Sequence, residues 1–303
     1  MNPLCPNCPE GSSHVVRNGS YFRRCDSRKI TTFCCRSCNK YFSRATFSEN
    51  YRQKKRRINF KLFEFLAMGG TQRDAAYFFR VNRKTIARRL ITFGEQAREK
   101  NAKLVDQYQR EFGAISDLQF DDLITIEHTK CKPVSLTVAV EASTRIIVDC
   151  TAAQIPASGH LAAVARKKYG KRPNQSRKAR HELFKELCTC LTGIQHIASD
   201  QHDDYPPLLK AHFPKAIHKA YKGAKSAISG QGELKKLLFD PLFSINHTLA
   251  MLRAKISRLF RRTWNTTKRI ERLLDHVAIY SVFHNRKIIA KLRKKRTSIV
   301  MSR

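Results

Sequence analysis

The sequence predicts a multidomain chain: an N-terminal zinc ribbon, an all-helical module and an α/β domain built on a mixed sheet. Three observations predict it. Cysteines recur as two pairs near the start, Cys5/Cys8 and Cys35/Cys38. Two helical patterns meet at a tight turn between residues 71 and 90. The hydrophobic period then changes from helical to alternating at residue 118. The chain is 303 residues long, room for two or three modules, one of them with a sizeable core. Fifty-nine Lys and Arg face only 24 Asp and Glu, a net charge of +35. Such a surplus calls for a polyanionic partner, bound with strong salt dependence through counterion release. No apolar run approaches the roughly 18 residues of a membrane span.

The ribbon is read over residues 1–48. Each cysteine pair offers two thiolates, and the two pairs complete a tetrahedral Zn²⁺ site. The gap between them exceeds the usual spacing, and Cys25 and Cys34 are extra candidates. Ten cysteines in 303 residues is far below disulfide-scaffold density, and no secretory signal precedes them. Cys131, Cys150, Cys188 and Cys190 sit in apolar surroundings and read as buried small hydrophobes. Residues 49–58 form a basic linker.

Residues 59–100 read as a helix-turn-helix. Thr71 precedes a short helix as its N-cap, with Asp74 three residues on. A turn at Arg80–Asn82 leads to a second helix capped by Asn82. Small Ala75 lets the two helices approach, and Val81 and Ile86 fill the space between them. The second helix is the expected reader of double-stranded DNA through Arg83, Lys84, Thr85, Arg88 and Arg89. Residues 101–117 are expected as a separate bridging helix.

Three strands follow, at 118–126, 133–140 and 144–151, as an antiparallel meander. Then come a helix ending at Leu191, a fourth strand at 194–200, a helix at 205–213, a fifth strand at 216–221, and helices at 246–262 and 267–283. That is the element order of an RNase H-like fold, here assigned to residues 118–285, with a frayed basic tail at 286–303. In that fold one aspartate lies on the first strand and another just past the fourth. Asp121 and Asp200 occupy those positions. Two carboxylates held on adjacent strands suit Mg²⁺ or Mn²⁺, and a metal pair suits in-line phosphodiester chemistry.

Taken together, the cysteine pairs, the helices at 71–90, the stretch Gln119–Asp122, the stretch Ser199–Pro206 and the helix from Asn246 resemble a bacterial insertion-sequence transposase of the zinc-ribbon, DDE-type class. The resemblance covers nearly the whole chain. It implies metal-dependent cleavage at element ends and strand transfer into target DNA. It also implies a homo-oligomer assembled on inverted-repeat and target DNA, at the bacterial nucleoid in the cytoplasm. One position departs from the pattern. Where the third carboxylate is expected, this chain has Asn246, followed by His247. An amide oxygen is a weaker ligand, so the alternative is a decayed transposase acting as a DNA-binding repressor. Glu233 and Asp240 are nearby substitutes. Asp122 is expected on the opposite face of its strand. His202, Asp203 and Asp204 read as a solvated loop, and Trp264 as a helix end packed on the core.

Overall fold

The computed structural model describes residues 2–8, 14–24, 26–222, 240–260 and 264–301. Cys25 and Glu233 lie outside the described residues. The chain divides into two compact units, Met1–Leu62 and Phe63–Arg303.

The first unit is a three-stranded antiparallel meander: β1 (Val15–Arg23), β2 (Arg28–Cys35) and β3 (Tyr41–Ser43). A bulge between Arg17 and Ser20 sits at Gly19, whose φ of 73° is open to glycine without strain. Its buried cluster is small: Val15, Phe33 and Phe42 with Cys5 and Cys35. The expected linker is folded against itself. The Asn59 side chain bonds Asn50 at 2.8 Å and Gln53 at 2.9 Å, and a 3₁₀ turn runs from Arg56 to Ile58. Helix α1 (Asn59–Ala67) spans the boundary between the units.

The second unit opens with α2 (Gln72–Phe78) and α3 (Arg83–Phe112). Both expected caps form. Thr71 Oγ1 accepts from Asp74 N at 3.1 Å, and Asn82 Oδ1 accepts from Lys84 N at 2.8 Å. Ala75 and Ile86 are buried between the helices; Val81 is half-buried. Here α3 differs from expectation. It continues through residue 100 as one thirty-residue helix. Its one glycine, Gly94, does not break it, because the backbone there lies against Asp275. A Cβ at residue 94 would come within 2.4 Å of Asp275.

Partner to α3 is α8 (Ile270–Met301). The expected frayed tail is therefore helical through residue 301. Contacts from Arg98 to Asp275, Asn101 to Asn285 and Glu111 to Arg293 advance together along both helices, so the pair is parallel.

The sheet comprises β4 (Asp117–Glu127), β5 (Thr129–Glu141), β6 (Ile147–Gln154), β7 (His196–Asp200) and β8 (Ile217–Tyr221), in the order β6-β5-β4-β7-β8. Pairing is antiparallel from β6 to β4 and parallel from β4 to β8. It is a five-stranded mixed sheet, as the meander-then-crossover sequence pattern requires. The basic stretch before β7 is two helices, α4 (Leu161–Tyr169) and α5 (Ser176–Cys190), separated by Gly170 and Pro173. Beyond β7 come α6 (Tyr205–His212) and α7 (Phe243–Lys255).

Apolar side chains fill both faces. On one, Phe120 of β4 meets Phe184 of α5 and Tyr205 of α6 edge-on, at 4.9 and 4.7 Å between ring centres. On the other, Leu123 and Leu136 pack with Ile245, Leu249 and Leu252 of α7 and Val277 of α8. An asparagine pair covers part of the β6 edge. Asn285 bonds the Ile147 amide and carbonyl at 2.9 and 2.8 Å, and also donates to Asn101 Oδ1 at 2.8 Å. Polar backbone that a neighbouring strand would otherwise have to satisfy is so paired by side chains. Trp264 does not pack on the core; it is 98 % exposed.

Candidate metal centres and nucleic-acid interface

The β1–β2–β3 meander brings the two cysteine pairs together. Cys35 ends β2, Cys38 follows in the turn before β3, and Cys5 and Cys8 lie ahead of β1. The four sulfurs lie within 4.8 Å of one another. Cys5 Sγ is 3.6 Å from Cys38 Sγ, and Cys8 Sγ is 3.9 Å from Cys35 Sγ. Four thiolates at 2.3 Å around a tetrahedral Zn²⁺ stand about 3.8 Å apart. The cluster fits a zinc ribbon on that measure. Crowding by the Cys38 thiol, with desolvation and the other two thiols, pushes Cys8 up to about 12. A thiol so placed keeps its proton unless a cation draws it off. Cys34, the extra candidate, directs its sulfur at the Cys35 carbonyl, 3.8 Å away. The four remaining described cysteines, expected to be buried, are not: Cys131, Cys150 and Cys188 are half-buried and Cys190 is exposed.

The acidic residues separate by face. Asp121 follows Phe120, which faces α5, so it shares the α7 face with Gln119 and Leu123. The β4–β7 register runs Asp117↔His196, Leu118↔Ile197 and Gln119↔Ala198. Two residues further on, Asp121 stands level with Asp200 at the end of β7. Burial pushes the Asp121 carboxyl up to about 7, with Asp200 and Asp122 adding repulsion and the Asp122 amide, 2.7 Å away, opposing it. Burial likewise raises Asp200. Asp200 Oδ1 is buried with no hydrogen-bond partner among the described residues. A pair of desolvated, mutually repelling carboxylates with an orphaned oxygen is a donor set that a divalent cation would satisfy.

Asp122 turns the other way, as alternation demands. It accepts from Thr137 and, at 2.6 Å, from Arg180 of α5. Arg180 also reaches Asp204 at 3.1 Å and lies over the Tyr205 ring at 5.3 Å. Asp204 is thus tied down rather than solvated. Arg180 is 1 % exposed, a buried cation bridging β4 to the segment after Asp200. It was not among the expected site residues. Its signal is an arginine at residue 180 on the same helical stripe as Leu183, Phe184 and Leu187.

Asn246 lies near the start of α7. That end is fixed over β4 by Gln119, which donates to Pro241 O at 2.9 Å and accepts from Ile245 N at 3.1 Å. Gln119 sits on the same face as Asp121, two residues before it. Asn246 itself is exposed, and its amide donates to Asp240 Oδ2 at 2.9 Å. His247 contacts Arg145 at 2.8 Å in the β5–β6 turn. Arg253, two turns beyond Asn246 on the same side of α7, acts on Asp121 by opposing its raised pKa. His202 stacks on Tyr205 at 4.8 Å.

Along α3, Arg83, Lys84 and Arg88 are exposed and Thr85 is half-buried. Arg89 is 6 % exposed and turned into the fold. Arg83 and Lys84 occupy the first turn, where the helix dipole disfavours cations by a few tenths of a kcal/mol or more. Among the described residues no helix is long and apolar enough to cross a membrane.

No protein-family model matches this chain. No curated protein matches it either. Solved structures that match include one described as the crystal structure of a pre-cleavage Mos1 transpososome, covering 77 % of this chain and 78 % of that one. Identity is 10 % and the TM-score 0.20, too low to carry any part of the argument.

Proposed function

We propose that this chain is a DDE-type transposase with an RNase H-like domain. It binds element ends through the zinc ribbon and α2–α3, then cleaves and joins DNA strands with two Mg²⁺ or Mn²⁺ ions. One observation carries the reading: Asp121 and Asp200 stand level on neighbouring parallel strands, both desolvated, with Asp121 on the face toward α7, in a chain of net charge +35. In-line displacement at a phosphodiester needs two oxygen-ligated ions, and rigid adjacent strands are where carboxylates can hold them. The metals would polarise the scissile phosphate and activate the attacking oxygen. The chain's own part is to hold the carboxylates in place, with Gln119 fixing α7 above them. Asn246 is the proposed third ligand. Its partners under this reading are double-stranded DNA at the inverted repeats and target, and a second copy of the chain on that DNA.

The test is cleavage of labelled element-end duplex with Mg²⁺ or Mn²⁺. Asp121→Asn and Asp200→Asn are expected to abolish nicking and joining while binding persists. Full activity in either variant overturns the metal site.

One observation favours a second reading, a decayed enzyme that only binds DNA as a repressor. The Asn246 amide is engaged by Asp240 rather than by either aspartate. End-binding without any metal-dependent product in the unmodified chain would establish that reading.

A further inference from the structure

A cleft of about 520 Å³ opens beside the β5–β6 edge, away from the acidic residues. Its walls are the start of β5, the end of β6, α4 and the loop from Gly170 to Asn174. The loop is fixed, not draped. Gln175 N donates to Gln154 O at 3.0 Å, and Arg172 bridges Glu127 at 3.0 Å and the Pro133 carbonyl at 3.5 Å. Lys132, Arg166 and Lys171 line the opening, and among the described residues no carboxylate does. Tyr169 gathers further charge there, with Lys132 Nζ 4.5 Å and Lys168 Nζ 5.6 Å from its ring centre. Eight of the fifteen residues from Arg166 to Arg180 are Lys or Arg, and none is acidic. Two of the eight are used internally, Arg172 on Glu127 and Arg180 on Asp122. Among the described residues the rest have no carboxylate partner beyond the exposed Lys178–Glu182 pair at 3.9 Å.

Position narrows the ligand. Asp121 pairs with Val138, and Lys132 lies six residues earlier in β5, about 20 Å away at strand spacing. The cleft therefore lies toward the carboxyl end of β4, the same direction in which β7 delivers Asp200. About 20 Å is some six base-pair steps along a duplex axis. A cleft of this volume admits one strand, and a duplex would ride on its rim.

We propose that this cleft is a second DNA site, which holds the phosphate backbone of a single-stranded tail extending from the duplex gripped by α3. It rests on the reading that the chain acts on DNA, but not on the metal site.

The experiment measures binding in buffer free of Mg²⁺ and Mn²⁺ but without a chelator, so that the ribbon keeps any zinc it holds, by fluorescence anisotropy, of two probes sharing one element-end duplex. One is blunt and the other carries an eight-thymidine tail. In the unmodified chain the tail is expected to raise affinity on the order of tenfold at low salt and to steepen the salt dependence. The combined variant Lys132→Ala, Arg166→Ala, Lys171→Ala is expected to abolish the tail's advantage and lower the salt slope by about 2, at roughly 0.7 per phosphate. Its affinity for the blunt duplex should be unchanged, which also reports a folded protein. Lys132→Arg with Lys171→Arg should keep the advantage. No tail effect in the unmodified chain, or an equal loss on both probes in the alanine variant, overturns the proposal. Because no Mg²⁺ or Mn²⁺ is present, these outcomes are separate from those of the cleavage test.

Discussion

The cysteine cluster and the aspartate pair are both candidate metal centres, yet they stand in opposite relations to the fold around them. In the first unit the ligands are the core: two of its five buried members, Cys5 and Cys35, are thiols of the cluster. In the second unit the sheet has an apolar core on each face without the carboxylates, and Asp121 and Asp200 are charges set into it. The difference separates what a metal would do in each: complete a core in the first, serve chemistry in the second. A ribbon too small to bury a core needs its ion to fold. A domain with a full core tolerates acidic groups that make it less stable without one.

The largest expected effect breaks that comparison directly. Strong chelation of the full chain, or Cys35→Ser, should remove hydrogen-exchange protection from Val15–Arg23 and Arg28–Cys35 while leaving Thr129–Glu141 protected. Structural zinc is worth on the order of 10 kcal/mol in peptides of this kind. Retained protection in the ribbon would show that it folds on Val15, Phe33 and Phe42 alone.

Next in size is Arg180→Leu, which strands Asp122 in the interior. Breaking a buried ion pair costs about 3–5 kcal/mol in denaturant unfolding. Adding Asp122→Leu should recover most of the loss, and failure to recover would locate the role of Arg180 in Asp204 instead.

Asp121→Asn should stabilise the metal-free chain, the reverse of the cysteine result. The folded carboxyl titrates near 7 against about 3.9 when unfolded. The folded state thus binds the proton more tightly. Stability is full below about pH 4 and declines as pH rises through 7. At pH 8 the asparagine variant should gain up to about 4 kcal/mol, and its stability should be flatter with pH. A loss of stability at pH 8 would mean the carboxylate is held by partners rather than desolvated.

The smallest effect belongs to Asn246→Ala. Losing one exposed hydrogen bond to Asp240 should cost less than about 1 kcal/mol. A much larger cost would make Asn246 a structural cap of α7 and weaken its claim as a ligand.

Legibility in the sequence followed the range of the interaction. Caps at Thr71 and Asn82 are local, and spacing alone predicted them. The cysteine cluster spans thirty-odd residues but announces itself by residue type. Strand order was readable because period and turn residues changed together at 118. What was not readable depends on partners far along the chain. That α3 runs on past residue 100 rests on α8, some 180 residues later, through Asn101 and Asn285. Nothing near Ile289 says that the basic end of α8 stays helical, since its support is Glu111 against Arg293 at 2.5 Å. Arg89 read as a DNA contact because its neighbours are basic, although helical phase puts it beside buried Leu90 and Phe93. Arg180 went unremarked for the converse reason, a cation hidden in a basic stretch.

Helix α3 begins with Arg83 and Lys84 and, eighteen residues on, donates from Asn101 to the carbonyls of Ile147 and Val148 in the sheet. A continuous helix is a screw as well as a spacer. Each residue added or lost between those points would turn its first residues by about 100° around the axis and move them about 1.5 Å along it. One such change would swing Arg83 and Lys84 to another side of the molecule with every local contact intact. Changes of seven or eleven residues err by only about 20°, and eighteen residues make five whole turns. The length of this segment can therefore drift only in quanta, and an exchange of helix starts between related chains would have to be spliced in phase.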